Sequence, residues 1–156
     1  LKGNLIFGLP FLLQHKTEYM LKQILATKPN ATLNNIALLI LRVGISVLMI
    51  PHGYNKLVHF GEYKAKFMDF MGLGVELSLV LAIGAELICS ILLALGFLTR
   101  FTIVPLVVTM AIATFKAHNG EIFGDGEHAF LYLIGYVALL FAGAGKFSVD
   151  GLILKK

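Results

Sequence analysis

Arg42 stands near the middle of the apolar run Ile36–Ile50, and Glu86 stands about halfway along a second run, Val75–Leu98. An arginine at the centre of a membrane-spanning helix costs roughly 2.5–3.5 kcal/mol on insertion scales, so it demands a partner. If the two runs are antiparallel helices, Arg42 and Glu86 come to similar depth, where a guanidinium holds a carboxylate by two parallel hydrogen bonds. Such a pair has two uses. It fixes helix register, the best-attested role of a buried ion pair, or it polarises a bound headgroup and relays protons, the default expectation for ionisable groups inside a bilayer. Glu127 is the next candidate partner for Arg42.

A second polar layer lies where the apolar runs end on one side: His52 and Lys56 after the first, His118 after the third, Glu127 and His128 opening the fourth. His52 and Lys56 are four residues apart and share a face if the helix continues, although Pro51 removes a backbone donor beside them and predicts a local distortion. Histidine exchanges protons near neutral pH, so this rim suits proton-coupled chemistry. The three histidine-bearing segments have no close-spaced ligand signature, and no metal site is assigned. Cys89 is the single cysteine, which excludes an intramolecular disulfide and a C-x-x-C redox pair.

Four elements must position these groups. Hydrophobic residues make up 58% of the 156 and charged residues 14%, against roughly 45–50% and about 25% in soluble domains. The stretches Leu33–Pro51, Val75–Leu98, Phe101–Ala117 and Glu127–Ala144 approach the ~20 residues that a membrane-spanning helix needs. Only Thr99 and Arg100 separate the second from the third, which forces a tight hairpin. The predicted fold is all-α: an integral membrane, antiparallel four-helix bundle, residues 33–151. It is preceded by an arm, residues 1–32, and followed by a basic tail, residues 152–156. In the arm, Met20, Leu21, Ile24 and Leu25 recur at helical spacing and predict an interfacial helix. Tyr63, Phe67, Phe70 and Met71 predict a second one in the first loop.

The net charge of +4 comes from lysines and arginines scattered at the ends of the runs and not gathered in a stripe, which argues against nucleic acid. Lys2, Lys16, Lys22, Lys28, Arg100, Lys146, Lys155 and Lys156 fall on one side; only Lys56, Lys64, Lys66 and Lys116 fall on the other. The excess places both termini in the cytoplasm.

Taken in order, Leu41-Arg42-Val43-Gly44, His52-Gly53-Tyr54-Asn55-Lys56-Leu57, Glu86, Gly96-Phe97-Leu98-Thr99-Arg100, Glu127 and Gly143-Ala144-Gly145-Lys146-Phe147-Ser148-Val149-Asp150 resemble the DoxX family of small bacterial and archaeal four-helix membrane proteins. The resemblance runs from about Leu33 to Gly151. It implies a subunit of a redox-linked, quinone-interacting complex in the cytoplasmic membrane. On that reading Arg42, Glu86 and Lys56 face the quinone headgroup, while Glu127, His52 and His118 exchange protons with the external side. The chain has no haem or iron-sulfur ligand set, so electrons need a partner subunit. The rival expectation is a noncatalytic subunit that anchors a larger envelope complex through its helices and arm.

Overall fold

The computed structural model describes residues 16–20 and 30–154, and every regular element among them is helical. The chain divides into two units, Leu1–Ala31 and Thr32–Lys156. In the first, residues 16–20 are helical and exposed. Of the expected interfacial helix of the arm, Met20 ends this segment, while Leu21, Ile24 and Leu25 lie outside the described residues, as do Lys155 and Lys156 of the basic tail.

The second unit carries α1 (Ala31–Val58), α2 (Phe60–Lys66), α3 (Val75–Leu95), α4 (Thr99–Ala117), α5 (Glu127–Ala142) and α6 (Val149–Ile153). Three of them, α1, α3 and α4, are long and apolar enough to cross a membrane, and α5 is a shorter apolar helix. Large apolar side chains such as Ile40, Leu48, Ile88, Phe101, Leu131 and Phe141 are exposed along these helices. In a soluble protein so much exposed apolar surface would drive association; on a membrane helix it meets lipid. The interior is a cluster of Met49, Leu93, Ile103, Leu106, Met110, Tyr136 and Leu139, drawn from α1, α3, α4 and α5.

Helix ends differ from those the sequence predicts, each for a local reason. The first helix does not stop or break at Pro51 but continues to Val58. Only the proline's own donor is lost, and an apolar setting favours keeping the remaining backbone bonds inside the helix. α3 stops at Leu95 because Gly96 takes a left-handed conformation (φ 69°), the usual helix-ending role of glycine. The fourth helix stops at Ala142, before the expected Ala144, because Gly143 has φ 80°. Helix α2 is only seven residues long and turns extended at Phe67, so the amphipathic pattern running on to Met71 is not one helix. Its trailing residues fold back instead: the Phe70 amide donates to Ser78 Oγ at 2.9 Å, and the Gly74 amide donates to Asp69 at 2.9 Å.

Two glycines set how closely α1 and α3 approach. A Cβ on Gly53 would lie 2.6 Å from the Leu87 backbone nitrogen, and one on Gly96 would lie 2.5 Å from an Arg42 guanidinium nitrogen. So Gly53 meets Glu86 and Leu87, while Arg42 meets the turn after α3.

Candidate functional site

The first polar centre is built around Arg42, and its partners are not those the sequence suggested. The side chain is 1% exposed and donates to the carbonyls of Ala144 at 2.5 Å and Phe147 at 2.8 Å. Neither Glu86 nor Glu127 is its partner. Its charged neighbour is Asp150, whose carboxylate accepts from the Leu98 and Thr99 amides at 2.9 Å each. Those amides open α4 and have no acceptor within their own helix, so Asp150 serves as its cap from a distant part of the chain. Asp150 also donates its amide to the Gly96 carbonyl at 2.9 Å. Ser148 caps α6, accepting from the Gly151 amide and donating to the Gly145 carbonyl. Arg42 therefore clamps the segment after α5 against the α3–α4 turn. Burial works against the Asp150 carboxylate, but hydrogen bonds from Thr99 and the Leu98 amide, together with the Arg42 charge, hold its pKa below the ordinary range.

The second centre lies at the far end of α1. Lys56 Nζ donates to Glu86 Oε2 at 2.5 Å, with the two side chains 18% and 5% exposed. The equality of depth expected for Arg42 and Glu86 is thus replaced by one between Lys56 and Glu86. The physical cause is the continuation of α1 past Pro51: Lys56 falls on its last turns beside Gly53, which sits against Glu86. Fourteen residues of helix between Arg42 and Lys56 put about 21 Å between the two centres at 1.5 Å per residue.

Beside this ion pair opens a pocket of about 720 Å³, within the range of roughly 300–1,000 Å³ common for small-molecule sites. Its walls come from α3 and α4, with Leu81, Ala85, Val104, Val108 and Ile112 among them. Phe67, Met68 and Phe70 of the loop after α2 close one side, charged or ionisable groups come from Lys56, Glu86, Lys66, Lys116 and His118, and Ser78 and Thr109 add hydroxyls. Lys64 pairs with Glu76 at 2.5 Å and Asn55 Nδ2 donates to Tyr63 Oη at 2.8 Å, tying α2 to α3 and α1.

Two departures from α-helix border the same pocket. Gly84–Cys89 in α3 and Ala113–Ala117 in α4 are π-helical, with the His118 amide reaching the Ala113 carbonyl five residues back at 3.0 Å. Wide turns of this kind are frequent at functional sites. The first carries Ala85 and Glu86 to the pocket wall, and the second carries Ala113, Lys116 and Ala117.

The remaining rim residues do not converge. His52 is exposed and meets Tyr132 of α5 edge-on at 6.2 Å between ring centres. His52 and Lys56 do share one continuous helix, as their spacing allows, yet they contact different neighbours. Glu127, His128 and His59 are exposed, and only His118 reaches the pocket. Among the described residues no three His, Cys, Asp or Glu side chains gather around a common point. Cys89 is free and half-buried. Sequence reasoning passed over Asp150 as a partner of the α4 terminus, the π-helical turns, and the Lys56–Glu86 pairing. The last had a signal in Gly53, one turn before Lys56, where close helix approach was to be expected.

An all-helical protein with three helices able to cross a membrane, a clamped arginine and an ion-paired pocket between two of those helices defines a small polytopic membrane protein. The chain belongs to the DoxX family, whose profile matches residues 37–119. It is similar to two uncharacterized proteins of Haemophilus influenzae. One is 33% identical over 123 residues, covering 74% of this chain and 90% of the relative. The other is 28% identical over 130 residues, covering 78% and 86%. A third relative is the inner membrane protein YqjF of Escherichia coli, 26% identical over 131 residues, covering 80% of this chain and 97% of that protein. No solved structure matches the chain.

Proposed function

We propose that this protein is a quinone-interacting subunit of a redox-linked complex in the bacterial or archaeal cytoplasmic membrane, its four apolar helices forming an antiparallel bundle with both termini in the cytoplasm. The observation that carries the reading is the pocket whose walls are mostly apolar and which holds one ion pair, Lys56 with Glu86. A flat, lipid-soluble ring needs such a combination: aromatic and branched side chains to take its faces and tail, and a polarised donor and acceptor for its oxygens. The relative named as an inner membrane protein supports the location.

A bound quinone supplies a two-electron, two-proton couple. Lys56 would donate to one ring oxygen, oriented by its ion pair with the Glu86 carboxylate. His118, also on the pocket wall, would exchange protons between the ring and the aqueous side. Arg42 lies outside this pocket, its two terminal nitrogens donating to the Ala144 and Phe147 carbonyls. Electrons come from a partner subunit, because the chain offers one unpaired thiol and no metal ligand cluster among the described residues.

The test is mass spectrometry of lipids extracted from gently purified wild-type protein and from the double variant Lys56→Gln with Glu86→Gln. Replacing both partners leaves no uncompensated buried charge, whereas removing one costs up to roughly 3–5 kcal/mol. Quinone is expected with the wild type and largely lost from the double variant. Quinone in neither preparation overturns the reading.

A further inference from the structure

The same pocket carries more positive charge than its ion pair needs. Lys56, Lys66 and Lys116 all line it, against the single carboxylate of Glu86. Glu86 is committed to Lys56 at 2.5 Å. Neither Lys66 nor Lys116 has a carboxylate partner among the described residues, the other described ion pair being Lys64 with Glu76. Lys66 Nζ instead lies 5.2 Å from the centre of the Tyr63 ring, which supplies attraction without neutralising the charge. Lys66 ends α2 and Lys116 sits in the π-helical turn of α4, so two separate elements bring cations to one mouth. Behind that mouth the wall is apolar, and low-dielectric walls around charges of one sign concentrate a field for the opposite sign.

Resting on the quinone reading, we infer that the pocket selects a headgroup that is itself anionic: a lipid-soluble ring bearing an ionised hydroxyl, with its tail along Val104, Val108 and Ile112. Charge complementarity decides the occupant. A neutral ring gains only the apolar burial and the Lys56–Glu86 contacts. A ring anion gains those and also offsets the two cations at the mouth, and both lysines are long enough to follow the headgroup while remaining wetted. A carboxylate on a plain acyl chain would satisfy the lysines but not the aromatic side formed by Phe67 and Phe70, so the ring is part of the specificity.

The experiment is equilibrium binding to the full-length protein in nanodiscs of zwitterionic phospholipid, with three probes. These are an alkylated hydroxynaphthoquinone whose ring hydroxyl ionises at neutral pH, its neutral methyl ether, and oleate. The hydroxynaphthoquinone is expected to bind about tenfold more tightly than the ether, equivalent to ~1.4 kcal/mol, with a ratio that narrows as salt screens the mouth. The double variant Lys66→Gln with Lys116→Gln is expected to bring the ratio near unity. Both lysines are exposed, so this variant should melt like the wild type, and the salt series reads the same electrostatics without any substitution. Equal affinity of the two naphthoquinones, a ratio insensitive to both salt and the lysines, or oleate binding as tightly as the hydroxynaphthoquinone each overturns the inference alone. Failure of both naphthoquinones to bind overturns the quinone reading and this inference with it.

Discussion

Asp150 shows how a side chain outside the spans holds them in place. Its carboxylate accepts from two amides at the start of α4 and lies near the buried Arg42. Only the ionised form accepts all of this while balancing the guanidinium, and its pKa is accordingly lowered from the ordinary 3.8. A depressed folded-state value means that the unfolded chain binds the proton first as pH falls. The stability contributed by Asp150 is therefore fully present above the unfolded value and is lost as acidification passes the folded one. Asp150→Asn keeps the size of the side chain and removes the charge, turning one of its two acceptors into a donor that faces a helix-opening amide. Losing such a cap costs on the order of 1 kcal/mol. Thermal melts in detergent should show the variant less stable at neutral pH, with the difference shrinking as pH falls from the ordinary aspartate value through the lowered folded-state one. A pH-independent difference would remove the charge from the explanation.

Between elements, glycines decide where helices touch. Gly53 faces the α3 backbone with no space for a methyl group, while Gly44 on the same helix has nothing within 4 Å of an added Cβ. Gly53→Ala should lower the melting temperature or prevent folding, because the obstruction is main chain and cannot swing aside. Gly44→Ala should be neutral or stabilise by roughly 0.5–1 kcal/mol through helix propensity. Equal effects of the two would mean that close approach of α1 and α3 is not what Gly53 provides. The same comparison explains what was legible in the sequence. Apolar runs locate the helices because hydropathy acts residue by residue, but not their ends: α3 stops at Leu95, before the expected Leu98, where Gly96 takes positive φ. Arg42 was recognisable as a residue needing partners, but carbonyls of Ala144 and Phe147 leave no side-chain signature. Placing Glu86 opposite Arg42 depended on where α1 ends, and an error of seven residues there moved the partner from Arg42 to Lys56. The pocket was legible in part: Lys56, Glu86 and His118 were singled out, whereas its apolar wall is indistinguishable in sequence from surface that meets lipid.

At the scale of the whole molecule, the question is how these helices traverse the bilayer. Helix α3 has 21 residues and spans about 31 Å at 1.5 Å per residue, matching a hydrocarbon core of roughly 30 Å. Helix α5 is shorter, and its missing turn is replaced by the Gly143–Lys146 segment, whose Ala144 carbonyl is satisfied by Arg42. In an apolar setting, backbone outside a helix is tolerated only where protein covers it, and the Arg42 guanidinium provides that cover for the Ala144 carbonyl. Lys66 before α3 and Arg100 after it are both exposed; a crossing by α3 would put them on opposite sides, and the excess of basic residues predicts the cytoplasmic side for Arg100. Cys89 is the one cysteine of the chain, so a Cys89→Ala background permits single-site labelling. In intact cells, a membrane-impermeant maleimide should modify Lys66→Cys and leave Arg100→Cys unmodified until the membrane is permeabilised. The opposite pattern would invert the topology and put the pocket mouth in the cytoplasm. Modification of both from outside would mean that α3 does not cross, and the pocket between α3 and α4 would then lie on the membrane instead of within it.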